Sequence, residues 1–318
     1  MANSEHLALL THRVSTWNKW RARNNRLQID ISEADLSGAV LLEADLSKAN
    51  LKGINLSKAV LIRAYLSGSN LTSANLSGAN LSAAIANCAY FNDANLSKAN
   101  LILINLSESY LIGTDLSETN LTGAILSGSD LIKAKLKGAN LSESYLSMAD
   151  LREADLSGAN LSESYAIGAN FSGADLTKAN LSGTNLSKAN FSNATLKDTK
   201  LREADLTGSN LIGADFTGAT LKGANLIGAK MIGANLSKTN ISRTNLSGVG
   251  LIEVNLTSAN LNGADLIGAD LSRSDLSYAN FSNAKLIWAD LSGAILTGAN
   301  FDGATLQGAV MPDGTTHS

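Results

Sequence analysis

The side chains best suited to chemistry are few, and most stand near the two ends of the chain. Histidine, the usual general base and metal ligand, occurs only as His6, His12 and His317, and none falls between residues 31 and 311. No His-dependent nucleophile, base or metal cage can be assembled along that stretch. The single thiol, Cys88, excludes a disulfide framework and any CxxC pair, fits a reducing compartment, and is expected outward as an incidental surface group. Glycine recurs two residues after leucine, but no Gly-Lys-Ser/Thr follows, so there is no phosphate-binding loop. Carboxylates recur twenty apart, as Asp130 with Asp150, Asp155 with Asp175, and Asp270 with Asp290. Such pairs could hold a cation. The same position carries Asn even more often, so turn-bonding or solvated side chains are the expectation. The sequence predicts no catalytic residue, no cofactor, no metal and no enzyme.

The rest of the composition is equally restrictive. Aromatic residues make up 5% of the chain and there is one proline, so small residues must do much of the packing. A net charge of -3 over 318 residues lies between the basic balance of a nucleic-acid binder and the strongly acidic balance of a DNA mimic. The densest apolar runs, such as Leu101-Ile102-Leu103-Ile104, fall far short of the roughly 20 residues of a membrane span. The first 25 residues place their charges after the short apolar stretch, the reverse of a secretory signal. A cytoplasmic protein with no membrane or nucleic-acid partner is expected.

One pattern positions everything else. From Ile31 to Met311, about 57 consecutive residues at five-residue spacing are apolar, mostly Leu, without insertion or deletion. Phe91, Phe171, Phe191, Phe216, Phe281 and Phe301 substitute for Leu, as do Ile31, Ile241, Met231 and Met311, and twice the small Ala86 and Ala166. Two residues earlier the side chain is small and nearly always Ala, as at Ala34, Ala44, Ala74 and Ala154. Each of the two small exceptions is followed by a Phe in the next unit, which predicts that the ring fills the volume the missing Leu leaves.

A five-residue spacing suits no straight element. On a helix of about 100° per residue it moves each Leu by about 140°; on a strand an odd period sends successive leucines to opposite faces. The chain must therefore turn once per unit, and same-sense turns close into a coil with Leu and Ala inside. The period of five leaves the number of units per coil open. Unusual residues recur at twenty: Tyr90 with Tyr110, Tyr145 with Tyr165, Phe171 with Phe191, Phe281 with Phe301, and the series Ile212, Ile232, Ile252. Phe191 to Phe216 departs from that spacing. Four units per coil is the reading that stacks these residues.

Units such as Ala34-Asp35-Leu36-Ser37-Gly38 and Ala79-Asn80-Leu81-Ser82-Ala83 resemble the A(D/N)Lxx repeats of the pentapeptide-repeat proteins. The resemblance covers nearly nine tenths of the chain. It implies an all-β fold, a right-handed quadrilateral parallel β-helix, here of about 14 coils and about 65–70 Å long at the usual inter-strand spacing. The segment Trp17-Asn18-Lys19-Trp20-Arg21 and the ending Met311-Pro312-Asp313-Gly314 are similar to cyanobacterial members, some of which regulate cell differentiation through protein contacts. The expected organisation is a helical cap over 1–30, the solenoid over 31–311, and a tail over 312–318.

Solenoid ends expose unpaired backbone and apolar faces. Residues 4 to about 23 are expected as one amphipathic helix capped by Ser4, with Leu7, Leu10, Val14 and Trp17 on the covering face. The tail is too short to cover the last coil, so Leu296, Phe301, Leu306 and Met311 mark a candidate end-on homodimer contact.

Along the sides, Ile212, Ile232 and Ile252 should form a ladder on one face, with Ile267, Ile287 and Trp288 on an adjacent one, a candidate contact site for a protein partner. Leu103, Met148, Tyr278 and the tyrosine pairs are weaker candidates. The favoured function is a non-enzymatic scaffold or protein-interaction rod. The alternative is a DNA-mimicking topoisomerase-protecting protein of the quinolone-resistance type, whose acidic surface would here be interrupted by Lys48, Lys58, Arg63, Lys98, Lys133, Lys178, Lys188, Lys238 and Arg243.

Overall fold

The computed structural model describes residues 2–318. The chain divides into two compact units, one ending at Asn160 and the other running Leu161–Ser318. Within each unit the backbone coils, and parallel bridges join residues twenty apart, as in Asn55↔Asn75 and Asn75↔Asn95 in the first and Asn190↔Asn210 and Asn235↔Asn255 in the second. Four five-residue units make one coil. The bridging residue is always the one before the inward Leu, so each coil contributes one bridging position per unit rather than a long strand.

A single unit shows why the sequence repeats as it does. The amide of Ala39 donates to the Leu36 carbonyl at 3.1 Å, closing a four-residue turn. The third residue of the turn, Gly38, has φ +66°, which makes the turn type II. Every position ending in 3 or 8 from Glu33 to Gly308 shares this left-handed conformation. Inward Leu and Ala are almost completely excluded from solvent through the body of each unit, each buried Leu contributing roughly 1.5–3 kcal/mol before the entropy of ordering is subtracted. Phe91 and Phe171 point inward and are fully buried, as are Ala86 and Ala166. Phe171 stacks on Phe191, with ring centroids 4.7 Å apart and planes 3° from parallel.

Where Ser or Thr replaces the inward Ala, its hydroxyl needs an acceptor. Most find one: Ser69 Oγ donates to the Leu66 carbonyl at 2.6 Å, and Thr114 Oγ1 to the Phe91 carbonyl at 2.8 Å. The hydroxyls of Ser164 and Ser209 are buried without a partner.

The N-terminal segment is two helices rather than the expected one. α1 (Ser4–His12) and α2 (Val14–Arg23) are separated by Arg13, whose extended backbone (φ -165°) breaks the helix. The cap of α1 is Asn3, not Ser4: its side-chain oxygen accepts from the amides of Glu5 and His6. Of the expected covering residues, Leu10 and Trp17 are fully buried and Leu7 and Val14 half-buried.

The contacts between these helices and the first coils are more polar than amphipathic spacing suggests. Trp17 Nε1 donates to the Asp45 carbonyl at 2.8 Å, Arg21 Nη2 to the Ser47 carbonyl at 2.9 Å, and Asn18 both donates to the Glu43 carbonyl and accepts from the Asp45 amide. These side chains stand where a preceding coil's backbone would be. They satisfy an edge that would otherwise be open. At the other end the tail pairs antiparallel with the final coil, Val310↔Thr316, and covers Ala309. Leu296, Phe301, Leu306 and Met311 remain half-buried.

Two predictions follow from these partners. Ser209→Ala removes a buried hydroxyl that has no partner and restores the residue usual at that position, and should raise stability by about 1 kcal/mol; a lower urea midpoint would show that the hydroxyl is satisfied after all. Trp17→Phe leaves the Asp45 carbonyl without its donor, costing about 1–3 kcal/mol. Amide hydrogen exchange should then accelerate in the first coils and stay unchanged in the second unit.

Candidate interaction surface

Three positions per unit face outward: the bridging residue and the two turn residues after the inward one. The bridging Asn or Asp has a defined task. Its Oδ1 accepts from the amide two residues on, as in Asn75 with Ser77 at 3.1 Å and Asp275 with Ser277 at 2.9 Å. At some stacked Asn pairs the carboxamides also bond between coils, Asn190 to Asn170 at 3.1 Å and Asn210 to Asn190 at 3.0 Å. The recurrent carboxylates belong to this turn chemistry. Among the described residues, no group of three or more His, Cys, Asp or Glu is placed to hold a metal ion. The pKa values agree with that role. Asp275 is held below the ordinary carboxylate range by the Ser277 hydroxyl and amide. Burial works against Asp215, but the Thr217 hydroxyl and amide and the Lys197 ammonium outweigh it, so its pKa is also lowered.

Some turn charges pair with an opposite charge in the adjacent coil. Arg63 pairs with Glu43 at 3.9 Å, Lys98 with Glu118 at 3.8 Å, Lys133 with Glu153 at 3.5 Å and Arg273 with Glu253 at 3.4 Å. Each exposed pair is worth little, about 0–1 kcal/mol. Together they break up any continuous acidic surface.

Of the apolar candidates in the second unit, Ile212 and Ile232 are exposed and Ile252 is half-buried. The Gly213 amide donates to the Ile232 carbonyl and the Gly233 amide to the Ile252 carbonyl, both at 3.1 Å, so the three occupy consecutive coils. Ile267 and Ile287 are half-buried neighbours in consecutive coils. Trp288 is 70% exposed and leans so closely over Gly308 that a Cβ there would collide with its ring. Tyr278 leans over Gly298 in the same way. Ile227 is also exposed and was missed, because Thr207 and Ser247 stand twenty residues either side and no ladder announces it.

In the first unit Tyr90 and Tyr110 stack with centroids 4.8 Å apart. Cys88 is exposed, with Sγ 3.8 Å from a Glu108 carboxylate oxygen. One row, Tyr65, Ile85, Asn105, Ile125 and Tyr145, joins consecutive coils through bridging positions. Its four apolar members are exposed. A search for identical residues at twenty does not find a mixed row of this kind.

A parallel β-solenoid built on a five-residue unit defines the class of this protein. The sequence model for Pentapeptide repeats matches a series of stretches from residues 28–63 through to 284–312. The chain belongs to the pentapeptide-repeat family, and its solenoid is a right-handed β-helix. It is 34% identical to HetL, a pentapeptide repeat protein involved in heterocyst differentiation regulation from the cyanobacterium Nostoc sp. strain PCC 7120; the alignment covers 83% of this chain and 92% of HetL, with a TM-score of 0.22. Similarity to QnrB1, a plasmid-mediated fluoroquinolone resistance protein, is 23% identity over 61% of this chain and 89% of the other, with a TM-score of 0.33. A search of curated proteins gives no match. Among the described residues no helix is long and apolar enough to cross a membrane.

The lowered carboxyls set a pH dependence. A folded pKa below the unfolded one contributes stability that is full above the unfolded value and lost as pH falls through the folded one. Stability of the second unit should therefore decline on acidification through the carboxylate range. Asp275→Asn, which keeps the Oδ1 acceptor without the titration, should make that decline shallower; an unchanged acid limb in a pH series of urea melts would contradict the assignment.

Proposed function

We propose that this protein is a non-enzymatic scaffold whose four-sided coils present side chains to a protein partner. The reading takes residues 1–30 as the cap, 31–311 as the solenoid and 312–318 as the tail, and places the molecule in the cytoplasm, where an exposed Cys88 would stay reduced. One observation carries it. Backbone polar groups are spent inside the coils, and the outward side chains are mostly turn-bonding amides and carboxylates, single charges or exposed ion pairs, and rows of exposed apolar residues. Nothing in that set is arranged to move a proton or an electron. Exposed apolar rows are what an interaction surface needs.

The contact patch proposed for the second unit comprises Ile212, Ile232 and Ile252 with Ile267, Ile287 and Trp288. HetL, described as involved in heterocyst differentiation regulation, supports a role of this general kind. The half-buried Leu296, Phe301, Leu306 and Met311 are proposed as an end-on contact between two copies.

The test compares the natural chain with an Ile212→Ser, Ile232→Ser, Trp288→Ser variant, whose changes lie on the surface and should leave the melting curve within about 0.5 kcal/mol per site. A partner captured from native lysate by the natural chain and lost by the variant is the expected result. Equal capture by both would remove the patch from the proposal. Inhibition of gyrase-driven DNA supercoiling by the purified protein would overturn the reading in favour of DNA mimicry.

A further inference from the structure

In the first unit one bridging row begins at Asp45, and the five residues that follow it read the same in both directions. Along consecutive coils the bridging residues are Tyr65, Ile85, Asn105, Ile125 and Tyr145. Tyr65 is 46% and Tyr145 47% exposed, Ile85 39% and Ile125 38%. At the adjoining corner Leu103 is 63% exposed in a left-handed conformation, φ +56°. A leucine gains nothing there from the backbone, which disfavours side chains in this region.

This face also gives up a stabilising bond. Elsewhere a bridging Asn or Asp accepts from the amide two residues on. Tyr65, Ile85, Ile125 and Tyr145 have no side-chain acceptor for the amides of Ser67, Asn87, Ser127 and Ser147. Only Asn105 keeps the bond, to the Ser107 amide at 3.0 Å. The Asn105 amide nitrogen has apolar neighbours in both adjacent coils, so the inter-coil bonding seen at Asn190 and Asn210 is closed to it. The rule is broken elsewhere in shorter runs, as at Val40 with Val60 and Tyr90 with Tyr110, but this row has the longest series of exposed apolar breaks in consecutive coils and marks a surface selected for something other than stability.

We infer that this face pairs with the same face of a second copy, around a two-fold axis through Asn105 parallel to the strand direction. That operation reverses the solenoid axis. Tyr65 then meets Tyr145 of the second copy, Ile85 meets Ile125, and Asn105 and Leu103 each meet their own counterparts, an isologous contact. It also sets Arg63 opposite Glu143 of the second copy, twice over by symmetry. One like-charged pair is created within these five coils, Glu108 against Glu108. The row is one residue wide and about 19 Å long at the usual inter-strand spacing, a narrow strip against the roughly 800 Å² per partner of a stable interface, so the dimer is a weak one. The inference deepens the scaffold reading by naming a partner for the first unit, and it is independent of the end-on contact.

Disulfide trapping in a Cys88→Ser background reads the register directly. The Asn105→Cys chain should cross-link to itself under mild oxidation. Ile85→Cys and Ile125→Cys should each remain monomeric alone, because like residues lie two coils out of register, about 9–10 Å. Mixed together they should cross-link at least tenfold faster than either alone. Equal rates in the mixed and single samples, or no trapping of Asn105→Cys, would overturn the two-fold. Two exposed substitutions test it without cross-links: Ile125→Asp should weaken self-association at least tenfold by sedimentation, and Glu108→Gln should strengthen it. If Ile125→Asp abolishes self-association while capture through the second unit's isoleucines persists, the two surfaces are separate; if the face fails and capture survives, only this inference is lost.

Discussion

Each five-residue unit has five backbone amides, and the fold rests on where the fifth one goes. The inward Leu and the second turn residue donate to the following coil, the bridging residue to the preceding one, and the inward Ala closes its own turn; Leu76, Gly78, Asn75 and Ala79 show all four in one place. That leaves the first turn residue, here Ser77, whose amide no backbone carbonyl reaches. The Asn75 side chain takes it at 3.1 Å. An unmet amide costs about 1–3 kcal/mol where water is excluded, and the repeat meets this demand dozens of times with Asn or Asp. The consensus of Asn or Asp before Leu is therefore a hydrogen-bonding requirement, while the Leu and Ala are a volume requirement.

A second constraint acts at the corners. Every unit needs one residue in the left-handed region, yet many corners carry Lys, Glu or larger side chains. Each such residue costs roughly 1 kcal/mol relative to glycine, so a side chain there must have a use. Some uses are visible, such as ion pairs between coils. The last complete coil has glycine at all four corners, and Tyr278, Asn283 and Trp288 of the coil before it lean over Gly298, Gly303 and Gly308. The bulk in one coil and the glycines in the next are a single arrangement, legible only once it is known that they are neighbours.

The coil and its inward residues were legible because they answer to one local rule repeated without error, and a spacing of twenty among Phe and Ile residues carried the register. The N-terminal segment was legible as helical, but its division into two helices was not. Amphipathic spacing finds Leu10 and Trp17, since burial leaves a periodic trace, but the break at Arg13 leaves none. Asn18 and Arg21 act through the carbonyls and amide of Glu43, Asp45 and Ser47, partners some 25 residues away that no local pattern reveals. The Arg21 guanidinium illustrates the limit: buried, it bonds the Ser47 carbonyl, lies 3.8 Å from the Asp45 carboxylate and leaves its Nε and Nη1 without hydrogen-bond partners. A helix that substitutes for a missing coil must offer its bonds from side chains, and their geometry is tertiary.

The same distinction separates the surfaces. Ladders of identical residues, Ile212 with Ile232 or Tyr90 with Tyr110, can be found by counting in twenties. Rows of unlike apolar residues cannot, and Ile227, Ile85 and Ile125 were missed for that reason. What reveals them is a departure from the hydrogen-bonding rule: an apolar side chain at the bridging position forfeits an amide bond that Asn would make. In a repeat protein the interior is almost wholly determined by the unit, so information about partners can reside only where the unit is violated. Each violation has an energetic cost that water partly offsets, and four of them on one face within five consecutive coils are harder to reconcile with drift than the same number scattered over several faces.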